Sequence, residues 1–231
     1  DVTFTFEPDT NQQLLEVTVD GKSIGTPESY TYKNLTLNSR IVATFTGAML
    51  FLDERREDWF YSDVRYVVEH GLFHGTTQEL FSPNAPMTRG MLVTVLYRLA
   101  GSPKSAADSG FADVAADKYY ADAVSWAAEN GIVSGVSDGC FAPDSQVTRE
   151  QLAAILYRYA RDKRYDTGKT ADLMGFADYG QISGYAAEAL GWTNAEGLVS
   201  GRSETALSPQ GQATRAEVAA ILHRLAENVA K

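Results

Sequence analysis

"MTRGMLVTVLYRLAG", Met87–Gly101, is the stretch whose reading decides the fold. "VTREQLAAILYRYA" begins at Val147 and "ATRAEVAAILHRLA" at Ala213. An apolar residue, a Thr and an Arg thus stand ahead of a helix-like run three times. Counted from the arginine, positions +3, +6, +7 and +10 are Leu92, Val95, Leu96 and Leu99 in the first copy. They are Leu152, Ile155, Leu156 and Tyr159 in the second, and Val218, Ile221, Leu222 and Leu225 in the third. The spacing predicts one buried helical stripe, repeated three times.

The likeness extends upstream. "FLDERREDWFYSDVRYVVEHGLFHG" starts at Phe51, "FADVAADKYYADAVSWAAENGIVSG" at Phe111 and "FADYGQISGYAAEALGWTNAEGLVSG" at Phe176. From the closing glycines, Gly75, Gly135 and Gly201, six residues lead to Phe81, Phe141 and Leu207, and a proline follows two later. Each block reads as helix, glycine-bracketed loop, helix. Tyr120, Ala123, Val124 and Ala127 mark the first helix of block two. It ends at Asn130-Gly131, matched by His70-Gly71 and Glu196-Gly197, where a left-handed cap is expected. One helix pair of this size buries too little to fold alone. The three second helices are therefore expected to pack around one axis. Blocks 51–101, 111–161 and 176–228 would form one mainly α domain over 51–228 with approximate threefold symmetry.

The Thr is an N-cap. Gln151 and Glu217, three residues after Thr148 and Thr214, complete a capping box, whereas Met91 leaves the first box open. The arginine is not explained by capping, because a cation at a helix N-terminus opposes the dipole. Two readings stay open. Arg89, Arg149 and Arg215 pair with carboxylates such as Asp53, Asp113 and Asp178 and pin one block to another. Or they join helix N–H groups in an anion site repeated three times.

These motifs, F-x-D-V, an aromatic pair, A-V-x-W/Y, G-L/I-x-x-G, F-x-P and T-R-A-E, resemble the S-layer homology domain of bacterial cell-surface proteins. The resemblance covers about three quarters of the chain, in three tandem copies. It implies a pseudo-threefold helical prism whose inter-repeat grooves hold a secondary cell-wall polysaccharide, often one ending in a pyruvate ketal on N-acetylmannosamine. It implies non-catalytic anchoring at the cell surface of a Gram-positive-type bacterium, with Arg89, Arg149 and Arg215 on the ketal carboxylate. On that reading Arg89→Ala and Arg149→Ala abolish polymer binding and leave the fold intact. Block three departs most, so Arg89 and Arg149 rank above Arg215. For Gly75, Gly135 and Gly201, a close approach to sugar and a tight turn are both open. For Trp59, Tyr119 and Tyr185, stacking on a sugar and packing in a core are both open. The alternative function is a helical protein–protein or S-layer self-assembly module without glycan binding.

Residues 1–46 read as a small β module, a spacer resembling the short repeats found upstream of such triplets in exported Firmicutes proteins. Val2, Phe4 and Phe6 alternate with polar residues as in a half-buried strand. "LLEVTVDGKSIG" reaches a hairpin at Asp20-Gly21, and "YTYKNL" and "RIVATF" supply further strands. Residues 47–52 are the expected junction.

Composition narrows the rest. A net charge of −10 without a Lys/Arg cluster argues against nucleic acid as a partner. No apolar run reaches membrane-spanning length. The single cysteine, Cys140, excludes an intrachain disulfide. The start at Asp1 is expected to make the chain a piece of something longer. No catalytic constellation, cofactor motif or metal set stands out. His70 and His74 flank Gly71 and lack a third ligand, and His223 replaces the Tyr97 and Tyr157 of the other blocks. Arg98, Arg158 and Arg224 also repeat, on the flank of the stripe, where salt bridges between blocks are expected.

Overall fold

The computed structural model describes residues 1–8, 12–33, 38–45, 50–105 and 108–230. It divides into two compact units, Asp1–Asp58 with Gly75–Phe81, and Trp59–His74 with Ser82–Lys231. Residues 47–49 of the expected junction lie outside the described residues.

In the first unit, β1 (Val2–Thr5) pairs antiparallel with β4 (Ser29–Tyr32). A second sheet places β2 (Leu14–Val19) between β3 (Lys22–Ser23) and β5 (Ile41–Phe45). Asp20 and Gly21 join β2 to β3 with φ of 51° and 80°, the left-handed pair that a tight hairpin turn requires. Val17 is fully buried, but β1 is not half-buried as its alternation predicts: Val2 and Phe4 are 44% and 40% exposed. Alternation decides which face a residue takes, not whether a layer covers that face. Further along, Phe51 packs on Phe81, and the Asp53 carboxylate accepts the Phe81 N–H at 2.8 Å.

The second unit holds α1 (Tyr61–Glu69), α2 (Arg89–Leu99), α3 (Ala121–Glu129), α4 (Arg149–Asp162), α5 (Ala187–Ala195) and α6 (Arg215–Arg224). Their starts and stops follow the sequence signals. Thr88, Thr148 and Thr214 accept the N–H three residues on, and Gln151 and Glu217 close reciprocal boxes. Gly71, Gly131 and Gly197 carry φ near +65 to +69° beyond α1, α3 and α5. The apolar stripes are buried except for Leu99, which is half-buried, with Leu92, Leu152 and Val218 each fully buried. Thr148→Ala is expected to lower stability by about 1 kcal/mol, through loss of the α4 cap. Urea unfolding measures it, and an unchanged midpoint would show the cap to be idle.

The expectation of a mainly α protein, built as a pseudo-threefold helical prism, is corrected. Among the described residues, helix accounts for 32% and strand for 13%, with six α-helices and two small sheets. The reason is visible in each block: helices of nine to fourteen residues alternate with long loops. Nor do the second helices pack on one another as their main contact. Each takes a first helix from another block, as α2 with α3, α4 with α5 and α6 with α1. The seams are aromatic: Tyr97 against Trp126, Tyr157 against Trp192, and His223 stacked on Tyr66 at 3.9 Å. His223 also meets the Asp63 carboxylate at 2.7 Å.

The segments before α2, α4 and α6 meet in a closed ring of backbone hydrogen bonds. Met87 N–H donates to Ala213 O (2.9 Å), Ala213 N–H to Val147 O (3.0 Å) and Val147 N–H to Met87 O (2.9 Å). The first helical N–H groups also find carbonyls in another block, Arg89 on Ser145 and Gly90 on Pro143, Arg149 on Gly211 and Glu150 on Pro209. Helix N-termini that would leave orphan donors thus become inter-block joints. Gly90 suits this joint, because a Cβ there would stand 3.0 Å from the Tyr120 ring and 3.1 Å from Pro143 O.

Candidate functional site

The arginines that follow the cap threonines are buried, Arg89 at 6%, Arg149 at 4% and Arg215 at 6% exposure. Their guanidinium groups reach into a different block and meet backbone carbonyls. Arg89 Nε donates to Phe141 O at 2.8 Å and Nη2 to Ser134 O at 3.1 Å. Arg149 Nε donates to Leu207 O at 3.1 Å, and its Nη2 donates to Ser200 O. Arg215 Nη2 donates to His74 O at 2.8 Å, with the guanidinium over the Phe73 ring. The arginines do pin blocks together, Arg89 and Arg149 chiefly through carbonyls, and Arg149 also through the Glu217 carboxylate of block three at 3.3 Å. Asp113 instead receives the N–H groups of Phe141 and Ala142, and Asp178 those of Leu207 and Ser208. Aspartate and arginine thus hold the same loop from two sides. Burial lowers the pKa of Arg89 and Arg149 from the usual guanidinium value.

Two clefts open beside these arginines. The first, about 360 Å³, is lined by Arg89, Ser134, Gly135, Gln151, Arg158 and Tyr185 among others. All three blocks contribute: Arg89 from the first, the 133–136 loop and α4 from the second, Tyr185 from the third. The second cleft, about 330 Å³, is lined by Arg149, Gly201, Arg202, Glu217, Arg224 and Trp59 among others. It is the same design advanced by one block. The first cleft carries two arginines and no carboxylate in its lining. In the second, Glu217 pairs with Arg149 at 3.3 Å and with Arg202 at 3.1 Å. Tyr119 lies within electrostatic reach of Arg215 and of Arg98. Gly75 falls in the other unit.

The three aromatics are surface residues: Trp59 is 61%, Tyr119 62% and Tyr185 55% exposed. Core packing at the block boundaries belongs instead to the next residues, Phe60, Tyr120 and Ala186. Gly135 and Gly201 line the clefts, yet the demand for glycine comes from inside the loop. A Cβ on Gly135 would lie 2.6 Å from Cys140 O, and one on Gly201 2.5 Å from Ser203 O.

Sequence reasoning missed several cleft residues. Arg158 and Arg224 line the clefts and, among the described residues, make none of the expected salt bridges. Arg224 and Arg98 instead donate to the carbonyls of Gly197 and Leu72. Their threefold repetition beside the stripe was the signal. Gln151 and Glu217 were legible only as capping partners. Glu150 was not legible: it is 3% exposed, and accepts the Ser183 N–H (3.0 Å), the Ser183 hydroxyl (2.8 Å) and the Tyr185 hydroxyl (2.9 Å). It fixes Tyr185 at the rim of the first cleft. Burial and this bond push the Tyr185 hydroxyl up to about 12.

Burial alone would raise the Glu150 carboxyl, but the hydrogen bonds from Ser183, Tyr185 and Gln210 outweigh burial and lower it. A carboxylate lowered on folding adds stability above its unfolded pKa, about 4.3 for Glu, and that stability is lost as pH falls through the folded value. Acid titration of stability is therefore expected to show a shallower fall in Glu150→Gln than in the wild type. Equal slopes would show that Glu150 adds nothing to acid sensitivity.

The comparisons agree with this block structure. The S-layer homology domain model matches residues 50–90, 110–153 and 175–219. A surface-layer 125 kDa protein of Lysinibacillus sphaericus is 30% identical over 83% of this chain and 16% of its own length. An endoglucanase of Bacillus sp. (strain KSM-635) is 28% identical over 80% of this chain and 19% of its own. A cellulosome-anchoring protein of Acetivibrio thermocellus is 27% identical over 69% of this chain and 36% of its own. The chain thus spans only a minor part of each relative. The family model covers more than half of the chain, one match per block, and on that match the chain belongs to the S-layer homology domain family.

Proposed function

We propose that this chain anchors a larger protein to the cell surface by non-covalent binding of an anionic, pyruvylated secondary cell-wall polysaccharide in the clefts between blocks. Anchoring as such is supported by the family and by relatives that carry surface-layer and cellulosome-anchoring names. An endoglucanase relative fits a non-catalytic segment attached to a separate enzyme domain. The observation that carries the glycan reading is the first cleft, where Arg89 and Arg158 face a cavity whose lining has no carboxylate. One buried and one half-buried guanidinium on the same wall favour a carboxylate ligand. Tyr185 offers an exposed ring at the rim, suited to the apolar face of a sugar.

Calorimetry with purified wall polymer, before and after mild acid removal of its ketals, tests the reading. Binding is expected with the ketals and not without them. Binding that survives ketal removal overturns the arginine assignment. Absence of binding overturns the glycan reading in favour of a protein–protein or self-assembly module.

A further inference from the structure

The two described clefts share a motif but not a charge arrangement. A guanidinium has donors on three nitrogens. In Arg149 all three are engaged: Nε on Leu207 O, Nη2 on Ser200 O and Nη1 on the Glu217 carboxylate at 3.3 Å. In Arg89, Nε and Nη2 hold Phe141 O and Ser134 O, and Nη1 has no partner among the described residues. The difference traces to one position, the third residue of the following second helix. It is Glu217 beside Arg149 and Gln151 beside Arg89.

Glu217 is held in place from several directions. Its carboxylate accepts the Thr214 N–H at 2.8 Å, and the Arg202 Nε and Nη2 at 3.2 and 3.1 Å. Arg202 in turn donates to Gln212 O at 2.6 Å. The residue aligned with Arg202 in the first cleft is Val136. So Glu217 occupies, with respect to Arg149, the place an incoming carboxylate would take, and Arg202 locks it there. Arg89 has neither the internal carboxylate nor the lock.

We infer that the two clefts are unequal: the Arg89 cleft receives the anionic group, and the Arg149 cleft is closed to it by the chain's own Glu217. Residue 151 or 217 is then the specificity-determining position of each cleft. This rests on the anchoring reading above, which it sharpens.

The test exchanges the two residues. Glu217→Gln removes the internal anion and keeps the α6 cap, since Gln151 already closes the α4 box in this chain. Gln151→Glu places a carboxylate beside Arg89. Each protein is titrated calorimetrically with the methyl glycoside of N-acetylmannosamine bearing a pyruvate ketal, and with the ketal-free sugar, after its melting temperature has been recorded. Glu217→Gln is expected to bind one more ketal ligand per chain than the wild type. Gln151→Glu is expected to bind one fewer, or to lose at least tenfold in affinity. Unchanged stoichiometry in Glu217→Gln, or unweakened binding in Gln151→Glu, overturns the inequality while the anchoring reading stands. No ketal-dependent binding by any of the three proteins overturns both. Should Glu217→Gln fail to fold, Gln151→Glu decides alone.

Discussion

Arg149→Ala is expected to lower the free energy of unfolding by about 2–4 kcal/mol, chiefly the cost of leaving two inter-block carbonyls without their donor. The substitution takes away one of the two guanidinium groups that face Glu217, and Arg202 remains. It also leaves Leu207 O and Ser200 O without their donor, each an inter-block tie. The expectation from sequence alone, that the Thr-Arg arginines can be removed with the fold intact, does not fit side chains this deeply buried. Denaturant unfolding measures the loss, and an effect under about 1 kcal/mol would show that these contacts are no more than surface ones. Loss of polymer binding in Arg149→Ala therefore says little about the ligand, because the scaffold goes with it.

Arg158→Ala separates the two roles. Arg158 is half-buried on the wall of the first cleft and makes no salt bridge among the described residues. Its removal is expected to weaken binding of pyruvylated polymer at least tenfold, the size of one charge-assisted hydrogen bond of about 1.5–3 kcal/mol. The melting temperature should stay within a few degrees of the wild type. Undiminished affinity in a folded Arg158→Ala protein would remove Arg158 from the site.

How much of this was legible depended on where a residue's partner lies. Thr148 and Gln151, or Thr214 and Glu217, are three residues apart, so spacing alone disclosed the caps and the structure repeats them. The apolar stripes are equally local, and Leu152, Ile155, Leu156 and Tyr159 are buried as their period requires. The arginines were singled out correctly as unexplained by capping, but their carbonyl partners lie in another block. A carbonyl has no letter in a sequence, so an aspartate was the nearest legible guess. The helix pairing failed for a related reason. An apolar stripe states that a helix is covered, not by which neighbour, and α2 takes α3 rather than α4. Trp59 and Tyr185 were ambiguous because an aromatic beside a core aromatic reads alike on either side of the boundary.

The backbone ring through Met87, Val147 and Ala213 bears on the order in which the chain can fold. Synthesis delivers block one first, and the Met87 carbonyl finds its donor as soon as Val147 is available. The Met87 N–H must wait for Ala213, close to the end of the described chain. Closure between distant segments raises contact order and slows folding. Until the last block emerges, the first two keep an unpaired edge of the kind that recruits other chains. A nascent or truncated form lacking α6 is then the species most exposed to aggregation, and α6 acts as the latch that ends that exposure.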